Sequence, residues 1–248
     1  MQKVSLGALA LLATTVAASA QVTTVAANPA NCPKAFQGFW LTGNTGFQVG
    51  TGKDSFEDDS QEQVFKGDLG FKGFDGGVGV GYLHRVCNWG LGLNFNANWT
   101  SAKGKERFGS EAGEDEDGNP TFASFSEHKA HLQNSLQVYA KLGYVICGQA
   151  MPYVGLGWDN SRWEHKFVTN NGTTSDSDKK KKRHNSLLWT AGVDLLATKH
   201  VVVGLQYTGT AGKKEKVHVG SDESGSIEFT DKFNPLTQKV AFTVGIVY

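Results

Sequence analysis

Between residues 91 and 99, every second position is apolar and every position between them is Gly or Asn. Leu91, Leu93, Phe95, Ala97 and Trp99 alternate with Gly92, Asn94, Asn96 and Asn98. In an extended strand, successive side chains point to opposite faces, so a period of two describes a strand with two unlike faces. The pattern recurs along the chain. Phe39, Leu41, Gly43, Thr45, Phe47 and Val49 oppose Trp40, Thr42, Asn44, Gly46 and Gln48. Val78, Val80 and Tyr82 oppose Gly77, Gly79, Gly81, Leu83 and Arg85. Leu132, Leu136, Val138, Ala140, Leu142 and Tyr144 oppose His131, Gln133, Ser135, Gln137, Tyr139 and Lys141. Similar strands are predicted around 153–159, 187–195 and 201–208. The last runs to the C-terminus, with Val240, Phe242, Val244, Ile246 and Tyr248 on one face.

These segments make eight predicted strands, an even number, as antiparallel closure of a single-chain barrel requires. Their connections alternate in length. Turns near Cys87–Trp89, Cys147–Ala150 and Thr198–His200 are short, whereas 51–73, 101–128, 164–185 and 209–236 are long and polar. A soluble sandwich or lipocalin-like barrel would also alternate, but its inward face must fill a dry core. Here the polar face is Gly, Asn, Gln and Thr with a few charges. The apolar face carries Trp99, Trp158 and Trp189 toward the long loops and Phe39, Tyr144 and Tyr248 toward the short turns. Two aromatic girdles around an apolar band mark a surface that meets lipid. The predicted fold is therefore all-β: an eight-stranded antiparallel up-and-down transmembrane β-barrel with short periplasmic turns and long extracellular loops. No run of about 18 apolar residues is present to make a helical span.

The N-terminus agrees with export. Lys3, an apolar stretch from Val4 to Ala18, and Ala18-Ser19-Ala20 form the three parts of a secretory signal peptide, expected to span 1–20. Residues 21–35 are expected to form a periplasmic lead-in, and 36–248 the barrel in the outer membrane of a Gram-negative cell. Formal net charge is zero, which argues against a nucleic-acid partner.

The stretches GGVGVGYLHRVCNWGLGLNFNANWT, LLWTAGVDLLATKHVVVGLQYTGT and VAFTVGIVY resemble the opacity-type, OmpA-like outer-membrane barrel family, as do GFWLTGNTGF and PYVGLGW. The resemblance covers about Phe36 to Tyr248, in strands rather than loops. It implies a porin-family or surface-antigen barrel with no cofactor. It also implies that Phe242, Val244, Ile246 and Tyr248 form the C-terminal signal read by the barrel assembly machinery. The chain is expected to depart from larger members in lacking a peptidoglycan-binding domain after the barrel, and it carries three Cys, which are unusual in the family.

Several residues suggest chemistry. His131 and Ser135 on one face invite a hydrolase reading, with Asp159 on the next strand. Residues four apart on a strand are ~13 Å apart, whereas a nucleophile and its base need ~3 Å; a non-enzyme is expected. Arg85, Lys141, Asp159, Asp194 and Lys239 point inward, either as an ion track or as a paired network that blocks the lumen. In a lumen only as wide as its own side chains, the network is favoured. The acidic runs Asp54–Glu62 and Glu111–Asp117 are balanced in charge by a basic run, Lys179, Lys180, Lys181, Lys182 and Arg183. The basic run is read either as a solvated loop or as an anion-binding loop for lipopolysaccharide phosphates or host surface molecules. Asp115–Asn119 is a weak calcium hint, with its Gly too early for a calcium-hand loop. Cys32, Cys87 and Cys147 all fall on the periplasmic rim. The lower ends of the second and fourth strands are ~10 Å apart, beyond the ~7 Å that a disulfide allows. Cys32–Cys87 is the expected pair, with three reduced thiols as the alternative.

These readings leave two function classes open: a structural envelope barrel with loop-mediated, adhesin-like interactions, and a narrow porin-like channel for ions or small solutes.

Overall fold

The computed structural model describes residues 36–58, 63–109, 113–114, 120–121, 125–170, 175–213, 215–219 and 229–248. Among these the strands are β1 (Gly38–Asp58), β2 (Gln63–Val86), β3 (Trp89–Thr100), β4 (Lys103–Gly109), β5 (Gly113–Glu114), β6 (Pro120–Thr121), β7 (Phe125–Tyr144), β8 (Ala150–Asn170), β9 (Ser175–Leu196), β10 (Val201–Gly212), β11 (Glu215–Val219) and β12 (Phe229–Val247). β3 and β4 form one stave, since both pair with β2 and β7. β10 and β11 form another, both pairing with β12. Every neighbouring pair is antiparallel. β1 pairs with both β2 and β12, which closes an eight-stave barrel. The predicted signal peptide, lead-in and calcium hint lie outside the described residues, as does Cys32.

Closure leaves an outer wall and an inner one, and the sequence alternation sorts side chains between them. Leu93, Phe95, Val154, Leu156, Leu205 and Phe242 stand exposed on the outside. Ten residue steps on β3 separate Trp89 from Trp99, both exposed. At ~3.3 Å per residue and a ~40° tilt they lie about 25 Å apart along the membrane normal, the height of a lipid-facing band. Phe47 and Phe74 meet edge-on at 5.7 Å at the upper border, and Trp89 and Tyr144 at 5.1 Å at the lower. Inside this band, the Gly column of β2 makes room for the Asn column of β3: Gly77, Gly79 and Gly81 face Asn98, Asn96 and Asn94 in register. A Cβ on Gly79 would lie 2.0 Å from the Asn96 Oδ1.

Above the band the alternation continues with its faces exchanged. Leu69, Phe71, Ala130, Leu132, Trp163 and Phe233 are buried inside the barrel, while Lys residues cover the wall outside. Outside the membrane a wall facing water is cheap and a dry interior needs apolar filling, so the pattern of a soluble barrel takes over. Much of the sequence expected as long loops is consequently paired strand. β1 and β2 stay in register out to Asp58↔Gln63, and β8 and β9 out to Asn170↔Ser175.

A β-bulge between Leu132 and Asn134 on β7 corrects a second expectation. One extra residue in a strand shifts its phase by one position. Below the bulge Ser135, Gln137, Tyr139 and Lys141 point inward, as expected. Above it Leu132 turns inward and is 2 % exposed, while His131 sits opposite Glu164 on the outer wall. The His131–Ser135 pairing therefore fails by face as well as by distance.

Candidate functional site

The lumen is filled in layers. Nearest the short turns, Phe36, Trp40, Leu83, Met151, Val202 and Val247 form a buried apolar plug. Phe36 donates no side-chain bond, but its carbonyl accepts from Trp40 Nε1 at 3.0 Å. Directly above, the Lys141 ammonium ion-pairs with Asp194 and lies 3.7 Å from the centre of the Tyr153 ring. Next come Tyr139, Gln206 and Thr190: Gln206 Nε2 donates to Thr190 Oγ1 at 2.9 Å and to the Tyr139 hydroxyl at 3.4 Å.

Toward the upper border a second ionic group crosses the lumen. Lys239 Nζ donates to Asp75 Oδ1 at 2.7 Å and to Asn98 Oδ1 at 3.3 Å. Asn98 Nδ2 passes a bond to Gln137 Oε1 at 3.1 Å, and Gln137 Nε2 donates to Asp159 Oδ1 at 2.9 Å. Cations and carboxylates this deeply buried need partners, and these have them. Of the inward charges singled out in the sequence, Lys141, Asp159, Asp194 and Lys239 lie in these layers. Arg85 does not: its Nε donates to the Cys87 carbonyl at 2.5 Å and its Nη2 to Asn88 Oδ1 at 3.4 Å. It braces the β2–β3 turn because it is the last inward position of β2, below the apolar plug. Asp75 was missed by the sequence reading because it falls just ahead of the segment in which β2 alternates apolar residues with Gly.

The upper interior holds three buried histidines that the sequence reading also missed. His128 Nε2 and His165 Nδ1 are 3.1 Å apart, with their rings stacked. His184 lies 5.8 Å from His165 between ring centres, and Trp163 and Phe233 pack against both. Burial, then the neighbouring His128, His184 and Lys182 charges, hold the His165 pKa well below its ordinary value. Among the described residues no group of three His, Cys, Asp or Glu converges on a metal position.

The basic run lies in β9 rather than in a loop, and its strand phase divides it. Lys179, Lys181 and Arg183 are exposed on the outer wall, and Lys180 and Lys182 are half-buried. Lys179 binds Glu164 at 2.8 Å, and Lys181 reaches the same carboxylate at 3.7 Å. The hydrogen bond from Lys179 holds the Glu164 carboxyl below the usual range, and those from Lys105 and Lys129 do the same for Glu127. The side chains of the acidic runs lie outside the described residues. Cys87 and Cys147 are exposed thiols on short turns, each in the left-handed region at φ 54° and 49°.

The family comparison agrees with this architecture. A family model described as "Outer membrane protein beta-barrel domain" matches residues 6–248. Among solved structures, neisserial surface protein A shares 12% identity over 86% of this chain and 98% of its own, with a TM-score of 0.41. OprG of Pseudomonas aeruginosa shares 12% over 86% and 97%, with a TM-score of 0.46. The outer membrane protease OmpT of Escherichia coli shares 8% over 84% and 97%, with a TM-score of 0.47. No curated protein sequence matches the chain.

Proposed function

This chain belongs to the outer membrane protein beta-barrel domain family and resides in the outer membrane, and from that premise we propose that it is a sealed, non-enzymatic surface barrel. It braces the envelope and presents its extracellular strand extensions to partners, in the manner of an adhesin. The observation that carries this reading is the filling of the lumen by layers of different chemistry. An apolar plug, two buried ion pairs and an aromatic cap follow one another along the axis. A conducting path needs a continuous line of water, and an apolar constriction at either end opposes wetting.

The test is single-channel recording from the refolded protein in planar bilayers. No discrete conductance is expected at either polarity. Reproducible unitary steps from the unmodified protein would overturn the sealed-barrel reading in favour of a narrow porin. For the surface role, cells carrying variants shortened at the β1–β2 and β8–β9 tips should lose attachment to host surfaces while keeping a folded barrel. Unchanged attachment would place any adhesive role elsewhere.

A further inference from the structure

The wall above the upper girdle sets like charges side by side on β4, β7, β8 and β9. Lys105 on β4, Lys129 on β7, Lys166 on β8 and Lys179 on β9 lie directly opposite one another in consecutive strand pairs. Nearer the membrane, Arg162 and Arg183 form a second like-charged pair across β8 and β9. Like charges directly opposite one another destabilise a sheet unless something answers them. Glu127 and Glu164 answer part of the row. Among the described residues the Arg162 and Lys166 side chains make no ion pair.

Height and direction identify what this flank meets. Arg183 Nη1 donates to Asn160 Oδ1 at 2.5 Å, and Asn160 and Trp158 Nε1 both donate to Asn185 Oδ1. Arg183 is thereby drawn down to the level of Asn160, two positions beyond the girdle residue Trp158. At ~3.3 Å per residue and ~40° tilt this is about 5 Å above the girdle, within the headgroup layer. The lysine row, eight positions beyond Trp158, lies about 20 Å above it on the same reckoning. Side chains on a barrel wall project sideways, toward molecules anchored beside the barrel, rather than upward from the loop tips.

We propose that the outer face of β7–β9 is a docking surface for a phosphorylated glycolipid of the outer leaflet, with Arg183 gripping phosphate at headgroup level, Arg162 adding positive charge just above it, and the lysine row meeting anionic groups on its saccharide. A phospholipid supplies charge only at the lower level. A glycolipid of the lipopolysaccharide type supplies it at both. The surface is independent of whether the lumen conducts, so the bilayer recording above and the following test fail separately.

The refolded protein in neutral micelles is titrated with lipopolysaccharide, with its dephosphorylated form, with phosphatidylglycerol and with inorganic phosphate, and binding is read by the mobility shift of the folded band. Lipopolysaccharide should bind tightest. Arg162→Gln with Arg183→Gln should weaken it at least about tenfold, given roughly 1 kcal/mol per cation at a membrane surface, and Arg162→Lys with Arg183→Lys should retain it. Lys166→Gln should weaken full-length lipopolysaccharide more than a form lacking the outer saccharide. Lys199→Gln with Lys213→Gln should bind as the unmodified chain does, and heat-modifiability verifies folding of each variant. Equal binding of the dephosphorylated form, or an unchanged Arg double variant, would overturn the proposal. So would equal affinity for phosphatidylglycerol, or competition by inorganic phosphate at matching concentration.

Discussion

Asp75 and Lys239 meet across the lumen from opposite ends of the chain, and each is nearly without solvent. Removing one partner of such a pair leaves the other charged and buried, at a cost of about 3–5 kcal/mol. Lys239→Met is therefore expected to destabilise the refolded barrel by that amount in urea titration, and adding Asp75→Leu should recover most of it. A double variant no better than the single would mean that the pair is not coupled. On the outer wall the ordering of residues is reversed. Leu93 is 60% exposed toward lipid, so Leu93→Arg should cost about 2–4 kcal/mol in the same titration carried out in lipid vesicles. Asn96→Ser inside should cost about 1 kcal/mol through its bond to Tyr139. Equal losses at both positions would contradict the assignment of faces. The faces were legible because Leu93 and Asn96 sit in an uninterrupted period of two. The Asp75–Lys239 contact was not, because spacing along one strand carries no information about which residue waits across the lumen.

At the scale of elements, the sequence reading lost the strands where their chemistry changed sides. Lys179, Lys181 and Arg183 look like a loop when apolar residues are sought on the outside. They read as strand once Trp163, His165 and His184 are seen to be the inward series of β8 and β9. The bulge at Gln133 has no composition signal at all, and it reverses which of His131 and Leu132 is buried. The upper section so formed should respond to acid. Folding depresses the His165 pKa well below the ordinary 6.5. The unfolded chain thus takes up a proton near 6.5 that the folded chain still refuses. The stability this histidine contributes is complete above pH ~6.5 and declines as pH falls toward the lower folded value. The lowered carboxyls of Glu127 and Glu164 begin to lose their contribution only below their ordinary 4.5. Trp163 packs against His165 and His184 and reports on them: the emission lost in Trp163→Phe should change between pH 7 and 5. His165→Phe should flatten both that change and the fall in melting temperature. A melting temperature independent of pH from 7 to 5 in the unmodified protein would contradict a neutral, buried His165.

For the whole molecule, the closing seam is the longest-range contact available, since β1 pairs with β12 from Trp40↔Val247 to Asp58↔Phe229. Its lower end is fastened by Tyr248, whose backbone N–H donates to the Phe39 carbonyl at 2.9 Å and whose carbonyl accepts from Phe39 N–H at 3.1 Å. The Tyr248 ring is 74% exposed, beside Phe39 in the lower aromatic border. One residue thus serves closure through its backbone and interfacial anchoring through its ring, and the C-terminal alternation of Phe242, Val244, Ile246 and Tyr248 puts all four side chains on the lipid face of the last stave. Contacts this distant in sequence form late and slowly, so a stave that pairs poorly leaves an open edge exposed to proteolysis and aggregation. Deleting Tyr248 removes both seam bonds and the ring, and the folded, heat-modifiable band in the outer membrane should fall severely, with protein degraded or held in the periplasm. Tyr248→Phe keeps ring and backbone and should assemble as the unmodified chain does. Tyr248→Ala keeps the seam bonds alone, so an intermediate level would assign part of the effect to each, and a level equal to the deletion would assign it to the ring. Assembly of the deleted chain at unmodified levels would show that neither the seam nor the terminal aromatic governs closure of this barrel.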